Sequence, residues 1–121
     1  MKALFASVGL AASVLLSAVP ASATPGTGVQ VETLSKNTVD GMDYIVTKIT
    51  VAPGGGTGWH YHPGEVFGFI SEGAMTHYDG NCQVDDVYDT GAPVKEGVGP
   101  GFVHNGRSQG TTPLVMEVVY I

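Results

Sequence analysis

Glycine and proline divide the chain after residue 24 into short pieces, and this punctuation limits the fold more than any other feature. "APGGGTG", "SEG", "YDGN" and "GVGPG" are turn signals. Between them lie runs rich in β-branched and aromatic residues. "VQVETLS" (29–35) alternates apolar and polar residues, as does "YIVTKITV" (44–51). The second run sets Ile45, Thr47 and Ile49 on one face and Val46, Lys48 and Thr50 on the other. "VFGFIS" (66–71), "AMTHY" (74–78) and "LVMEVVYI" (114–121) complete the set. No helical period longer than two turns, no internal repeat and no second domain is evident after residue 24. Many short strands at close spacing predict one all-β domain, a sandwich or a barrel.

The first 23 residues have a different character. Met1-Lys2 is a short basic start, "ALFASVGLAASVLLSAVP" is an apolar run, and "ASA" at 21–23 is a small-x-small cleavage site. That is the order of a secretory signal peptide. The alternative is a membrane anchor, since the run is about long enough to span a bilayer. The proline and the cleavage motif favour the signal peptide. The expectation is a signal peptide over 1–23, cleavage after Ala23, and a single domain over 24–121. The product would be periplasmic or secreted and free of the membrane. Lys36, Lys48, Lys95 and Arg107 then face 11 acidic residues, a formal charge of −7. This argues against a nucleic-acid partner or an anionic membrane surface.

The single cysteine, Cys82, cannot close an internal disulfide. It sits in "DGNCQVDD", read here as an acidic turn. That stretch has a faint likeness to a calcium loop, but lacks the glycine at the sixth position and the glutamate at the twelfth. Stability must come from the core, a metal or association of chains.

His60, His62, His77 and His104 are the histidines. On an extended strand His60 and His62 point to one face about 6–7 Å apart, with Tyr61 pointing away. Two imidazoles so placed can converge on one ion, although a His-x-His pair alone is weak evidence.

"GWHYHPGEVFGFISEG" and "GPGFVHNGRS" together resemble the two motifs of the cupin superfamily. In the first, Gly58, His60, His62 and Gly73 stand on motif positions. In the second, Gly101 and His104 do. The resemblance implies a small jelly-roll β-barrel whose metal ligands are His60, His62 and His104. It departs from the family's pattern in places. The usual glutamate position, counted back from Gly73, holds Val66, and Glu65 comes one residue early. Gly99 stands for the usual proline, with Pro100 after it, and Ser108 stands for the usual asparagine.

A regular strand turns Val66 inward with the histidines and Glu65 away. A bulge at Pro63-Gly64 would turn Glu65 inward instead, as a further metal ligand. Three histidines suit a divalent ion such as Zn, Mn, Fe or Ni, without distinguishing among them, and leave positions open for water or substrate. His77 reads as a surface or strand-end residue, or as a partner to a ligand or a proton shuttle if it faces the cavity. Tyr61, Tyr78 and His77 are guesses for acid–base groups; no catalytic residue is assigned. Phe67 and Phe69 share the face of Glu65 and need covering by another strand or a second subunit, which predicts a homodimer.

The expected function is that of an exported metal-dependent enzyme acting on a small organic substrate, an anionic one being well suited to the ion's charge. Similar cupins carry out oxygenation (dioxygenase-type), isomerisation and lyase chemistry. The alternatives are a non-catalytic barrel binding a small ligand or a metal, and a structural barrel without chemistry.

Overall fold

A computed structural model describes residues 23–121. The signal-peptide reading therefore lies outside the described residues, except for Ala23.

The strands are β1 (Thr27–Val39), β2 (Met42–Gly56), β3 (Val66–Glu72), β4 (Met75–Asp79), β5 (Val84–Tyr88), β6 (Pro93–Glu96), β7 (His104–Arg107) and β8 (Leu114–Tyr120). Among the described residues a 3-10 turn, Pro100–Phe102, precedes β7. The strands form one nearly closed, barrel-shaped sheet in the order β5-β4-β7-β2-β8-β3-β6, with β1 paired to β2. The architecture is the all-β jelly-roll barrel expected.

β1 and β2 form a long antiparallel hairpin with Val39 opposite Met42. Asp40 (φ 49°) and Gly41 (φ 77°) between them both lie in the left-handed region. A two-residue hairpin turn of this kind has the twist of its flanking strands. β2 also runs through "APGGG", a stretch whose composition signals a turn. The reason is a change of partner. Ile45 to Val51 pair with β8, and Gly56 pairs with Arg107 of β7. Gly54 N–H donates to the Ser108 carbonyl (2.7 Å), and Ser108 N–H to that of Gly55 (3.0 Å). The small residues let the strand swing from one neighbour to the next while its backbone groups stay satisfied.

Period-two alternation fills the interior. Ile49 and Val51 of β2, Val66 and Ile70 of β3, Met75 of β4, Val94 of β6 and Leu114, Met116 and Val118 of β8 make the core. Burying each aliphatic side chain contributes about 1.5–3 kcal/mol. Thr47 and Ile49 face inward and Lys48 outward, as predicted. On β3 the expected faces also appear: Val66 and Ile70 are buried, while Phe67 and Phe69 are exposed. β5, β6 and β7 were not among the predicted runs. They are four or five residues long and carry charged residues, so their alternation has little sequence in which to show. Half of "DGNCQVDD" is indeed a turn, where Asp79 accepts from the N–H groups of Asn81 and Gln83. Its second half is the start of β5.

Candidate metal centre

Gly58 sets the entry to the site. Its φ of 80° is left-handed, and a Cβ there would press on the carbonyls of Thr24 and Pro25. Only glycine meets both conditions without strain. Next to it, Thr24 N–H donates to the Trp59 carbonyl (3.0 Å), and Trp59 N–H to Thr24 Oγ1 (2.7 Å). The chain then extends past β7. His60 and His104 pair directly, and each N–H donates to the other's carbonyl at 3.0 and 2.9 Å. His62 is held from another side, its carbonyl accepting from Gly99 N–H (2.8 Å). The two histidines thus sit in isolated bridges to different segments, rather than in one continuous strand.

The three imidazoles converge. Ring centroids lie 4.9 Å apart for His60–His62, 4.5 Å for His60–His104 and 5.0 Å for His62–His104. One nitrogen from each falls within 4.8 Å of the other two. His60 Nδ1 lies 2.8 Å from the Gly58 carbonyl, and His104 Nδ1 2.8 Å from that of Phe102. A carbonyl only accepts, so both Nδ1 atoms carry the proton. Both Nε2 atoms are then free to bind a metal, the usual way in which a ligating imidazole is oriented. Burial, with help from neighbouring His60 and His104, pushes the His62 pKa down to about 4. Burial also lowers that of His104. Both are therefore neutral at pH 7, the form that ligates.

The carboxylate comes from an unexpected place. Val66 faces inward and Glu65 is exposed, its carbonyl accepting from Ile121 N–H (3.0 Å). Glu65 is not brought into the histidine group. Glu96 of β6 stands directly across from Val66 in the antiparallel register. Cross-strand partners share a face, so Glu96 puts a carboxylate beside the position that Val66 occupies. Its Oε2 is 3.6 Å from His104 Nε2 and 3.1 Å from His77 Nε2. Sequence reasoning missed Glu96. The one signal was its spacing of two from the core residue Val94, in a strand of four residues.

His77 is buried, not at the surface. Its Nδ1 lies 2.5 Å from Asp85 Oδ1, and its Nε2 bonds Glu96. Burial opposes its protonation, but the hydrogen bonds to Glu96 and Asp85 and their charges outweigh it and raise the pKa to about 9. For Glu96, burial favours the acid form. The bond from His77 and the nearby His104 prevail and hold the carboxyl below its ordinary value.

No family model matches this sequence, and no curated protein matches it. Solved structures do match. A cupin domain from Bordetella pertussis superposes with a TM-score of 0.62 at 22% identity, over 78% of this chain and 93% of that one. A polyketide cyclase from Streptomyces resistomycificus matches with a TM-score of 0.64 at 22% identity, over 79% of this chain and 67% of the other. The chain has the cupin fold. A sugar phosphate isomerase of the cupin superfamily from Silicibacter pomeroyi also superposes, with a TM-score of 0.61 at 16% identity, over 79% and 68% of the two chains.

Within this cupin barrel the histidines border a cavity of about 210 Å³. Val29, Ile49, Met75, Met116 and Val118 supply an apolar wall, and Glu96 a polar edge. Tyr120 reaches the same cavity, its ring 5.8 Å from that of His62, and burial raises its pKa. Tyr61 is exposed, and Tyr78 bonds the Gln109 amide instead. Neither lines the cavity. Ser108, at the usual asparagine position, is fully buried and donates to the Thr112 carbonyl (3.3 Å), a tie within the loop that joins β7 to β8.

Proposed function

We propose that this protein is an exported cupin that holds a divalent metal through Nε2 of His60, His62 and His104. On this reading it is an enzyme acting on a small organic anion in the cavity. The observation that carries the reading is the convergence of three imidazoles, two of which have Nδ1 committed to a backbone carbonyl. Zn, Cu, Fe and Ni suit such a set of neutral imidazoles. A bound ion would supply Lewis acidity and attract an anionic group, because three neutral ligands leave its charge undiminished.

The chain's own residues give the rest. The apolar wall excludes water around the non-polar part of a ligand. Glu96 is ionised at the cavity edge and is the candidate base. Tyr120 stays protonated at neutral pH and is the candidate acid. A base and an acid on one cavity favour catalysis over a non-catalytic binding barrel, and suit isomerisation, lyase or dioxygenase-type chemistry. Solved neighbours include a polyketide cyclase and a sugar phosphate isomerase, which supports an enzymatic reading without naming the substrate.

The basic start, apolar run and Ala21-Ser22-Ala23 support export, with cleavage after Ala23. Phe67 and Phe69, each 44% exposed on one sheet face, support a homodimer. Metal content decides the central reading. Protein purified from its native compartment should carry about one divalent ion per chain, and H60A and H62A should each hold it at least about tenfold more weakly. Full retention of metal by both variants would sink the three-histidine site.

A further inference from the structure

Glu96 and His104 form a wall with two sides. One side faces the cavity of His60 and His62. The other faces an outer cleft of about 530 Å³, lined also by His77, Asp79, Asp85 and Tyr88. On that outer side one atom each from His77, Glu96 and His104 lies within 4.8 Å of the others.

We propose that His77, Glu96 and His104 form a second, outer position for a divalent metal ion, which the ion occupies in alternation with the inner one. Two imidazoles and a carboxylate are a ligand set that borderline divalent ions accept. The orientation is prepared. Asp85 Oδ1 holds His77 Nδ1 at 2.5 Å and turns Nε2 toward Glu96, so an ion binds here by displacing the Nε2 proton from an imidazole already oriented. A carboxylate behind a histidine is the arrangement that fixes ligating imidazoles elsewhere. Acidic Asp79, Asp85 and Glu96 outnumber Lys95 around the cleft, which draws cations from solvent to this side.

His104 makes the two positions exclusive. Its Nδ1 is given to the Phe102 carbonyl, so only Nε2 can ligate. One lone pair serves one ion. His104 is therefore a pivot, and an ion arriving from the outer cleft passes to His60 and His62 by changing its other ligands. The outer position stands on its own residues; the alternation alone rests on the three-histidine reading above.

Titration of the metal-free protein with Co²⁺, followed by calorimetry and visible absorption, tests this. The wild type should bind one Co²⁺. H60A/H62A should still bind one, about 10- to 1,000-fold more weakly, with a changed absorption band. Adding H77A or E96Q to that variant should abolish binding. If the alanine pair does not fold by circular dichroism, H60Q/H62Q takes its place with the same expectation. A folded inner-site variant that binds no Co²⁺, while the wild type does, overturns the outer position. Two ions on the wild type overturn the exclusivity. Binding lost in H77A/E96Q but unchanged in H60A/H62A would uphold the outer position and reject the inner one.

Discussion

His60 and His104 are an antiparallel hydrogen-bonded pair, 44 residues apart in sequence, with each backbone N–H on the other's carbonyl at 3.0 and 2.9 Å. The backbone therefore fixes the spacing of the two imidazoles independently of any ion. Replacing His104 by alanine leaves these backbone bonds in place. The expected outcome is an apo protein that melts near the wild-type temperature and has lost more than about a hundredfold in Zn²⁺ affinity, beyond the 10- to 100-fold typical of an outer partner. E65Q should bind as the wild type does, because its side chain is exposed. Calorimetry and a thermal melt on the two variants check both points. Equal losses in E65Q and H104A would mean that the exposed carboxylate reaches the ion after all.

The histidines should give the apo protein a stability maximum near pH 6.5. His77 is raised from 6.5 to about 9. Its contribution is complete below 6.5 and is lost as pH rises toward 9. His62 is lowered from 6.5 to about 4. Its contribution is complete above 6.5 and is lost as pH falls toward 4. Glu96, lowered as well, adds to the acid-side loss. Melting temperatures in EDTA from pH 4 to 10 should trace a dome, and H77Q should flatten its alkaline limb. A curve that climbs steadily to pH 9 contradicts this.

Gly58→Ala should be costly out of proportion to one methyl group. The φ of 80° is strained for alanine, and its Cβ would meet the Pro25 carbonyl at 2.8 Å. A loss of about 1–3 kcal/mol is expected, with a melting temperature lower by several degrees. His60 Nδ1 uses the Gly58 carbonyl, so metal affinity should fall with stability. Thermal melts and Zn²⁺ titration of this variant give both readings; an unchanged melt would show that the turn adapts.

Phe67 and Phe69 project from β3 beside Lys95 and Pro93 of β6. If they seat a second copy of the chain, light scattering should give twice the monomer mass. F69D, at a residue outside the cavity lining, should give a monomer with its metal affinity intact. The measurement needs reductant, because Cys82 is exposed and free. A wild-type monomer at high concentration removes the dimer.

Intact mass of the protein exported from its native host should place the N-terminus at or within a few residues of Thr24. Recovery with Met1 retained in a membrane fraction would reject the cleavage reading.

The strands were legible because they depend on local rules. Alternation in 44–51, 66–71 and 114–121 marks strands wherever one face is buried, and the inward set Thr47, Ile49, Val66 and Ile70 follows from period two alone. The site was legible through the resemblance of "GWHYHPGEVFGFISEG" and "GPGFVHNGRS" to the two cupin motifs, since spacing within "HYH" alone is weak evidence. The inward facing of Val66 was legible too. Which carboxylate stands nearest the imidazoles was not. Glu96 reaches the histidines because β6 pairs with β3 in a register that sets it opposite Val66, 30 residues earlier in the chain. His77 is held inside by Asp85 of the neighbouring β5 and by Glu96 of β6, which comes from the opposite end of the strand order. Strand pairing is a choice among partners distant in sequence, made by the closure of the whole sheet. The sequence by itself determined an all-β chain and three histidines on motif positions. Only the tertiary structure decided which acidic side chains meet that set, because register, unlike alternation, is not written in either strand alone.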